Sequence, residues 1–251
     1  CFLRQFFSLG ASAVYPENDS RKEFSSTILE IQDRGSSNTF HGISPDKTGV
    51  KFVSQVDEWE ASQNRVLYNG AGVAVGDYDK DGWPDIFLCA IDGNPALYKN
   101  KGDWGFIDVT YTAGLKEMGR RHRGAVFADL NGDDWLDLLV GTVDRGIRTY
   151  INRGGVFNEM SETSGLAGVY APMTMALADV DGNGTLDLYV TNNRSSDIRD
   201  EGSITLRRVG GKLVIPAQYR KRLVVSGGMV KEYGEADFLF LNNGKAVFAK
   251  T

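Results

Sequence analysis

Cysteine is scarce. Only Cys1 and Cys89 occur in a chain of 251 residues, so no disulfide framework can carry the fold. Cys89 sits in the apolar run DIFLCA and reads as a buried free thiol. No stretch reaches 18 consecutive apolar residues, and no membrane-spanning helix is expected. Positive charge is not in excess either. With 28 Lys and Arg against 33 Asp and Glu, the formal net charge is −5, which argues against whole-chain attraction to nucleic acid or an anionic membrane but leaves local patches open. The two histidines, His41 and His122, read as surface residues rather than catalytic bases. The sequence shows no G-x-S-x-G, HExxH or Cys-His constellation. Helical periodicity is sparse.

Apolar residues make up 41% of the chain and glycine 30 positions against six prolines. Short runs of Val, Leu, Phe and Tyr between glycines suit an all-β protein with frequent tight turns. The first residues, CFLRQFFSLGASA, offer an arginine, a short apolar run and the small-residue site Ala11-Ser12-Ala13. That order reads as a truncated signal peptide, and residues 1–30 are assigned to a signal or N-terminal extension. A lipid-modified Cys1 is the alternative. Residues 31–67 are expected to hold lead-in strands.

Internal repetition organises the rest. GVAVGDYDKDGWPDIFLCA (72–90), GAVFADLNGDDWLDLLVGT (124–142) and TMALADVDGNGTLDLYVTN (174–192) align without gaps, with their first aspartates 52 and 50 residues apart. Each segment is followed by a Tyr-x-Asn or Phe-x-Asn run and then by a further Phe: Tyr98 to Phe106, Tyr150 to Phe157, Phe240 to Phe248. Four strands per unit follow. Strand a ends at the first aspartate, strand b begins at the ninth loop position, strand c carries the asparagine and strand d the final Phe. Four-stranded units of about 50 residues in tandem are what a β-propeller needs, and the small residues Gly70 to Ala74 fit the crowded centre of such a ring. An ordinary β-sandwich with similar hairpins is the alternative, and it does not account for a register kept over three units. The expected blades are 68–120, 121–170 and 171–251, the last with an insertion at about 192–237.

The loops between strands a and b follow D-x-[DN]-x-[DN]-x-x-x-D. Side-chain oxygens at positions 1, 3, 5 and 9 and a backbone carbonyl at position 7 suit a hard cation of calcium size. The expected ligands are Asp77, Asp79, Asp81, Trp83 and Asp85 in the first loop, Asp129, Asn131, Asp133, Trp135 and Asp137 in the second, and Asp179, Asp181, Asn183, Thr185 and Asp187 in the third. Up to three structural calcium ions are expected. An EF-hand would need an acid at position 12, where Leu88, Val140 and Val190 stand. The other alternative, solvated turns, gives no reason for one spacing to recur three times.

These features resemble the FG-GAP or VCBS repeat of integrin α-subunit propellers, over about residues 68–251. NKGDWGFIDVT, and the run from TNNRSSDIRDEG to EYGEADFLFLNN, are similar to the bacterial ASPIC/UnbV type related to cartilage acidic protein. The resemblance implies a seven-bladed propeller with calcium in its hairpins, located outside the cytoplasm (secreted, periplasmic or on the cell surface) and serving adhesion or recognition. Three blades cannot close a ring, so the chain is expected to be a partial propeller whose remaining blades lie in a longer protein.

The first aspartate and the strand-c asparagine are 23 residues apart in two units and 63 in the third. The extra segment reads as two hairpins, turning at Gly210-Gly211 and Gly227-Gly228. Between Asn192 and Asp237 cations outnumber anions nine to six. This segment and the run Arg120-Arg121-His122-Arg123 share the face opposite the aspartate loops. Arg120, Arg121, Arg123, Arg220 and Arg222 are therefore candidate contacts for an anionic glycan or protein. The alternative is a solvated surface whose charges pair internally. The expected function is a non-catalytic recognition or adhesion module. The competing reading is the propeller portion of an extracellular polysaccharide-active enzyme such as a lyase.

Overall fold

Short apolar runs broken by Gly- and Asp-rich turns satisfy their backbone groups by pairing with the next run, and the computed structural model shows this three times. It describes residues 42–116, 118–202 and 204–251. The expected signal segment, residues 31–41 of the lead-in, Cys1 and His41 lie outside the described residues. Blade 1 is β1 (Val73–Gly76), β2 (Asp85–Leu88), β3 (Ala96–Asn100) and β4 (Phe106–Asp108). Blade 2 is β5 (His122–Ala128), β6 (Asp137–Thr142), β7 (Ile147–Asn152) and β8 (Phe157–Glu159). Blade 3 opens with β9 (Pro172–Ala178) and β10 (Asp187–Asn192). Its insertion holds the hairpins β11 (Arg207–Val209) with β12 (Lys212–Val214), and β13 (Leu223–Ser226) with β14 (Met229–Glu232). It closes with β15 (Phe238–Asn242) and β16 (Phe248–Lys250).

Each blade is an antiparallel four-stranded sheet in sequence order, the third omitting its two inserted hairpins. Register repeats with it: Ile86 faces Tyr98, Leu138 faces Tyr150 and Leu188 faces Phe240. The architecture is all-β with the four-stranded blades of a partial propeller. Because successive strand residues point to opposite faces, Leu138 and Leu139 serve different cores. Leu138 packs with Phe87, Leu97 and Tyr78 between blades 1 and 2. Leu139 packs with Leu188, Ile151 and Phe240 between blades 2 and 3.

The first strands of adjacent blades approach closely. A Cβ on Gly72 would lie 2.7 Å from the Arg123 carbonyl oxygen, and one on Gly124 3.1 Å from that of Met173. The sequence expectation of small residues at this crowded position therefore holds for a steric reason.

Blades also join at their outer edge, through turns whose role the sequence did not announce. The turn ending at Gly114 (φ +84°) lies under β8: Phe157 donates its N–H to the Ala113 carbonyl at 2.9 Å, and a Cβ on Gly114 would meet the Phe157 oxygen at 2.5 Å. The helical turn Ser161–Ser164 ends at Gly165 in the same relation to Phe248 of β16. Ahead of blade 1, the turn Pro45–Thr48, capped by Ser44 and Gly49, places Gly49 against Phe106 of β4. Each blade thus receives the closing turn of the segment before it.

Residues 42–67 correct the expectation of lead-in strands. They form the Pro45–Thr48 turn, a helix at Glu58–Gln63 and the start of a 3-10 helix at Arg65–Asn69, with only one isolated bridge, Gln55 to Asp92. Asp57 and Asn64 cap the second and third of these with side-chain oxygens. Ala61, Val66 and Leu67 bury against Ile91 and Val143, just beyond β2 and β6. The segment covers the ends of the sheets with apolar side chains and adds no strand to them.

Candidate metal-binding loops and the opposite face

The three aspartate loops are organised by their own side chains. At position 1, Asp77 accepts the N–H groups of Asp81 and Gly82, Asp129 those of Asn131, Gly132, Asp133 and Asp134, and Asp179 those of Gly182, Asn183 and Gly184. At position 5, Asp81, Asp133 and Asn183 accept the N–H of Trp83, Trp135 and Thr185. Position 6 takes the left-handed conformation in every loop: Gly82 at φ +90°, Gly184 at +82° and Asp134 at +67°. Asp134 tolerates it less comfortably than glycine.

Position 9 joins the loop to the sheet. Asp85, Asp137 and Asp187 are at most 1% exposed. Each accepts two backbone N–H groups at 2.8–3.0 Å, one from loop position 2 (Tyr78, Leu130, Val180) and one from the strand-c asparagine. Burial, with carboxylate neighbours adding, pushes Asp85 and Asp137 up to about 6, while those N–H bonds oppose the shift.

Strand-c asparagines extend the joint across blades. Asn152 donates to the Leu136 carbonyl of its own loop and to the Tyr78 carbonyl of blade 1, at 3.0 and 2.8 Å. Asn242 does the same to Leu186 and to Leu130 of blade 2, at 3.1 and 2.8 Å. Among the described residues the Asn100 side chain donates only within its own loop, to Pro84.

Carboxylate oxygens of Asp77, Asp79 and Asp85 lie within 4.8 Å of one another, as do those of Asp179, Asp181 and Asp187. Asp79 Oδ1 is buried and accepts no hydrogen bond among the described residues. Three converging carboxylates with an unsatisfied oxygen are chemically suited to a hard cation. In the second loop the corresponding donors are Asp129, Asn131 and Asp137, with Asp133 at position 5.

An FG-GAP-like repeat matches residues 77–140 and again 129–190, the intervals that contain these loops. The chain carries FG-GAP-like repeats. It is also 28% identical to cartilage acidic protein 1 of Homo sapiens over 150 residues, 58% of this chain and 23% of that protein. To the Xenopus tropicalis protein it is 28% identical over 126 residues, 49% of this chain and 20% of that protein. The chain spans about a fifth of the length of these curated relatives.

The first FG-GAP loop also differs from the others in the side chain that strand c brings to it. Lys99 of β3 reaches across to it, pairing its ammonium with Asp79 and, at 2.9 Å, with Asp81. Those bonds raise the Lys99 pKa, and the bond from Lys99 is the main cause holding Asp81 below the usual carboxylate range. The corresponding residues of blades 2 and 3 are Ile151 and Leu241.

On the opposite face, the expected arginines divide. Arg123 is 4% exposed, which corrects its assignment as a surface contact. It belongs to β5, at the crowded centre, where it donates to the Val66 carbonyl and touches the Met173 sulfur. Its Nε has no partner among the described residues, and burial lowers its pKa. His122 is likewise fully buried, with Nδ1 3.2 Å from the Ala90 carbonyl oxygen and Nε2 2.9 Å from that of Met118. The expectation of a surface histidine fails because β5 already begins there.

Arg120 pairs with Glu60 and Asp92, and Arg121 with Asp144 and Glu60. Arg222 pairs with Glu201 and Glu232. Arg220 is exposed. Sequence reasoning missed Arg145 and Arg148, which line a cavity of about 370 Å³ with Arg120 and Arg121. It also missed Glu60, whose pairing depends on a helix that was expected to be a strand. No described helix is long and apolar enough to cross a membrane.

Proposed function

We propose that this chain is part of an extracellular, calcium-supported recognition module that is not itself a catalyst. The observation that carries the reading is the recurrent loop, with converging carboxylates in blades 1 and 3 and a buried, unpartnered oxygen on Asp79. Asp77, Asp79, Asp81 and Asp85, and their counterparts around Asp129 and Asp179, would hold the ion, with backbone oxygen supplied at Trp83, Trp135 and Thr185. Without it, unit charges about 4 Å apart repel by about 1 kcal/mol per pair even at water-like dielectric. Calcium removes that cost and stiffens the end of each blade. Similarity to cartilage acidic protein 1 supports an extracellular setting, where free calcium suits sites with dissociation constants of about 10⁻⁴ to 10⁻³ M.

Recognition falls to the opposite face. The cavity of Arg120, Arg121, Arg145 and Arg148 also contains Asp144, and Arg120, Arg121 and Arg148 are paired with carboxylates of the chain. Carboxylate or sulfate groups on a glycan or protein would engage these guanidinium groups by exchanging with those pairs, with exposed Arg145 and Arg220 on the same face.

Thermal unfolding with millimolar calcium and with chelator, together with elemental analysis, tests the metal. An unshifted midpoint and no bound calcium would sink the reading. For the face, retention on a sulfated-glycan column should weaken when Arg121, Arg145 and Arg220 are changed to Ala, and unchanged retention removes the anionic partner.

A further inference from the structure

We propose that Lys99 is a tethered cation that competes with calcium for the first loop, so that this loop fills at higher calcium than the loops of blades 2 and 3 and releases the lysine when it does. The inference rests on the calcium reading above and concerns how the three sites differ.

Three blades share one backbone frame, so the side chain at one register position can be compared directly. That position follows Tyr98, Tyr150 and Phe240, which face Ile86, Leu138 and Leu188. In blade 2 it is Ile151, 7% exposed and part of the core between blades 2 and 3. In blade 3 it is Leu241. In blade 1 it is Lys99, whose side chain is 30% exposed and whose ammonium bonds Asp79 and Asp81, positions 3 and 5 of the expected ligand set. One Asp79 oxygen is thus taken by Lys99 while the other stays buried without a partner.

At the four expected ligand positions the first loop carries one more negative charge than either of the others. Its positions 1, 3, 5 and 9 are all aspartate, whereas the second and third loops each have one asparagine among those four. An ammonium placed here relieves the additional repulsion while no divalent ion is bound. A calcium ion needing Asp79 and Asp81 must displace it. Loading loop 1 therefore exchanges a built-in charge for an external one, while loops 2 and 3 have no lysine at this position to displace. Once displaced, Lys99 becomes a free surface amine beside the loop.

The test compares the wild-type chain with Lys99→Ile and Lys99→Met, which substitute the kind of side chain found in blades 2 and 3. Calcium titration by calorimetry should resolve one weaker site in the wild type, and that site should tighten by about tenfold or more in both variants. Without calcium the variants should unfold at a lower temperature than the wild type, and with saturating calcium the gap should close or reverse. Acylation of the wild type by an amine-reactive ester, read by peptide mass spectrometry, should label Lys99 more strongly with calcium than with chelator. Three equivalent sites in the wild type, unaltered by either substitution, would overturn the lysine inference and leave the calcium reading standing. No calcium bound by any of the proteins would overturn both. If one variant does not fold, the other variant and the wild-type labelling pattern still decide the matter.

Discussion

Replacing Asn152 by Ala probes the joint between blades. The residue is fully buried, donates to Tyr78 and Leu136 carbonyls and accepts the Gly155 N–H at 2.8 Å. Three hydrogen bonds at about 1 kcal/mol net each give about 3 kcal/mol, and the stranded carbonyls and N–H raise the cost because water cannot readily reach them. Asn100 is the internal control. It has the same place in blade 1 but is only half-buried and makes two side-chain bonds, to Pro84 at 3.0 Å and from Gly102 at 2.9 Å. Solvent can replace part of these, so Asn100→Ala should cost about 1 kcal/mol. The difference of about 2 kcal/mol corresponds to about 4–8 °C in unfolding midpoint for a domain of this size. Urea and thermal unfolding under saturating calcium measure it. If Asn100→Ala proved as destabilising as Asn152→Ala, the bond to Tyr78 would not be holding blades together.

Two further outcomes follow. Gly114→Ala should destabilise by several kcal/mol or prevent folding, because it combines φ +84° with a Cβ 2.5 Å from the Phe157 oxygen; Gly132→Ala, with open space around its Cβ, should cost only about 1 kcal/mol for its left-handed backbone, and equal effects would refute the closing-turn contact. Burial depresses the His122 pKa, with its two carbonyl contacts opposing, so its contribution is fully present above the unfolded value of about 6.5 and is lost as pH falls below it; the stability gap between wild type and His122→Gln, followed by urea midpoint from pH 8 to 5, should narrow toward acid, and a constant gap would refute the assignment.

The sequence was most informative where it repeated itself. The junctions at Asp77 and Asp85, the Tyr-x-Asn strand and both inserted hairpins were legible because local patterns set them and the first two recur in register. What stayed hidden depends on partners far along the chain. Arg123 reads as a surface cation until the Val66 carbonyl, 57 residues earlier, is brought to it. Glu58–Gln63 reads as a strand lead-in because nothing local reports that it will cap Ile91 and Val143. Gly49 belongs to a recurring turn, but SPDKTGV shares too few letters with YTAGL and SETSGL to be recognised without seeing Phe106 above it.

That turn has a consequence for where the protein can be divided. The repeat visible in the letters and the unit that is sterically complete are out of phase, since every sheet is roofed by chain that precedes it. A fragment cut at the apparent start of blade 1, near residue 68, would leave Phe106 uncovered and lose Val66, the acceptor for buried Arg123. Excision or grafting would need an overhang reaching back beyond Ser44, as a roof tile is lifted only with the one that overlaps it. Insertions between Asn192 and Asp237 disturb no such overlap, which gives a physical reason why the longest added segment of the chain is found there.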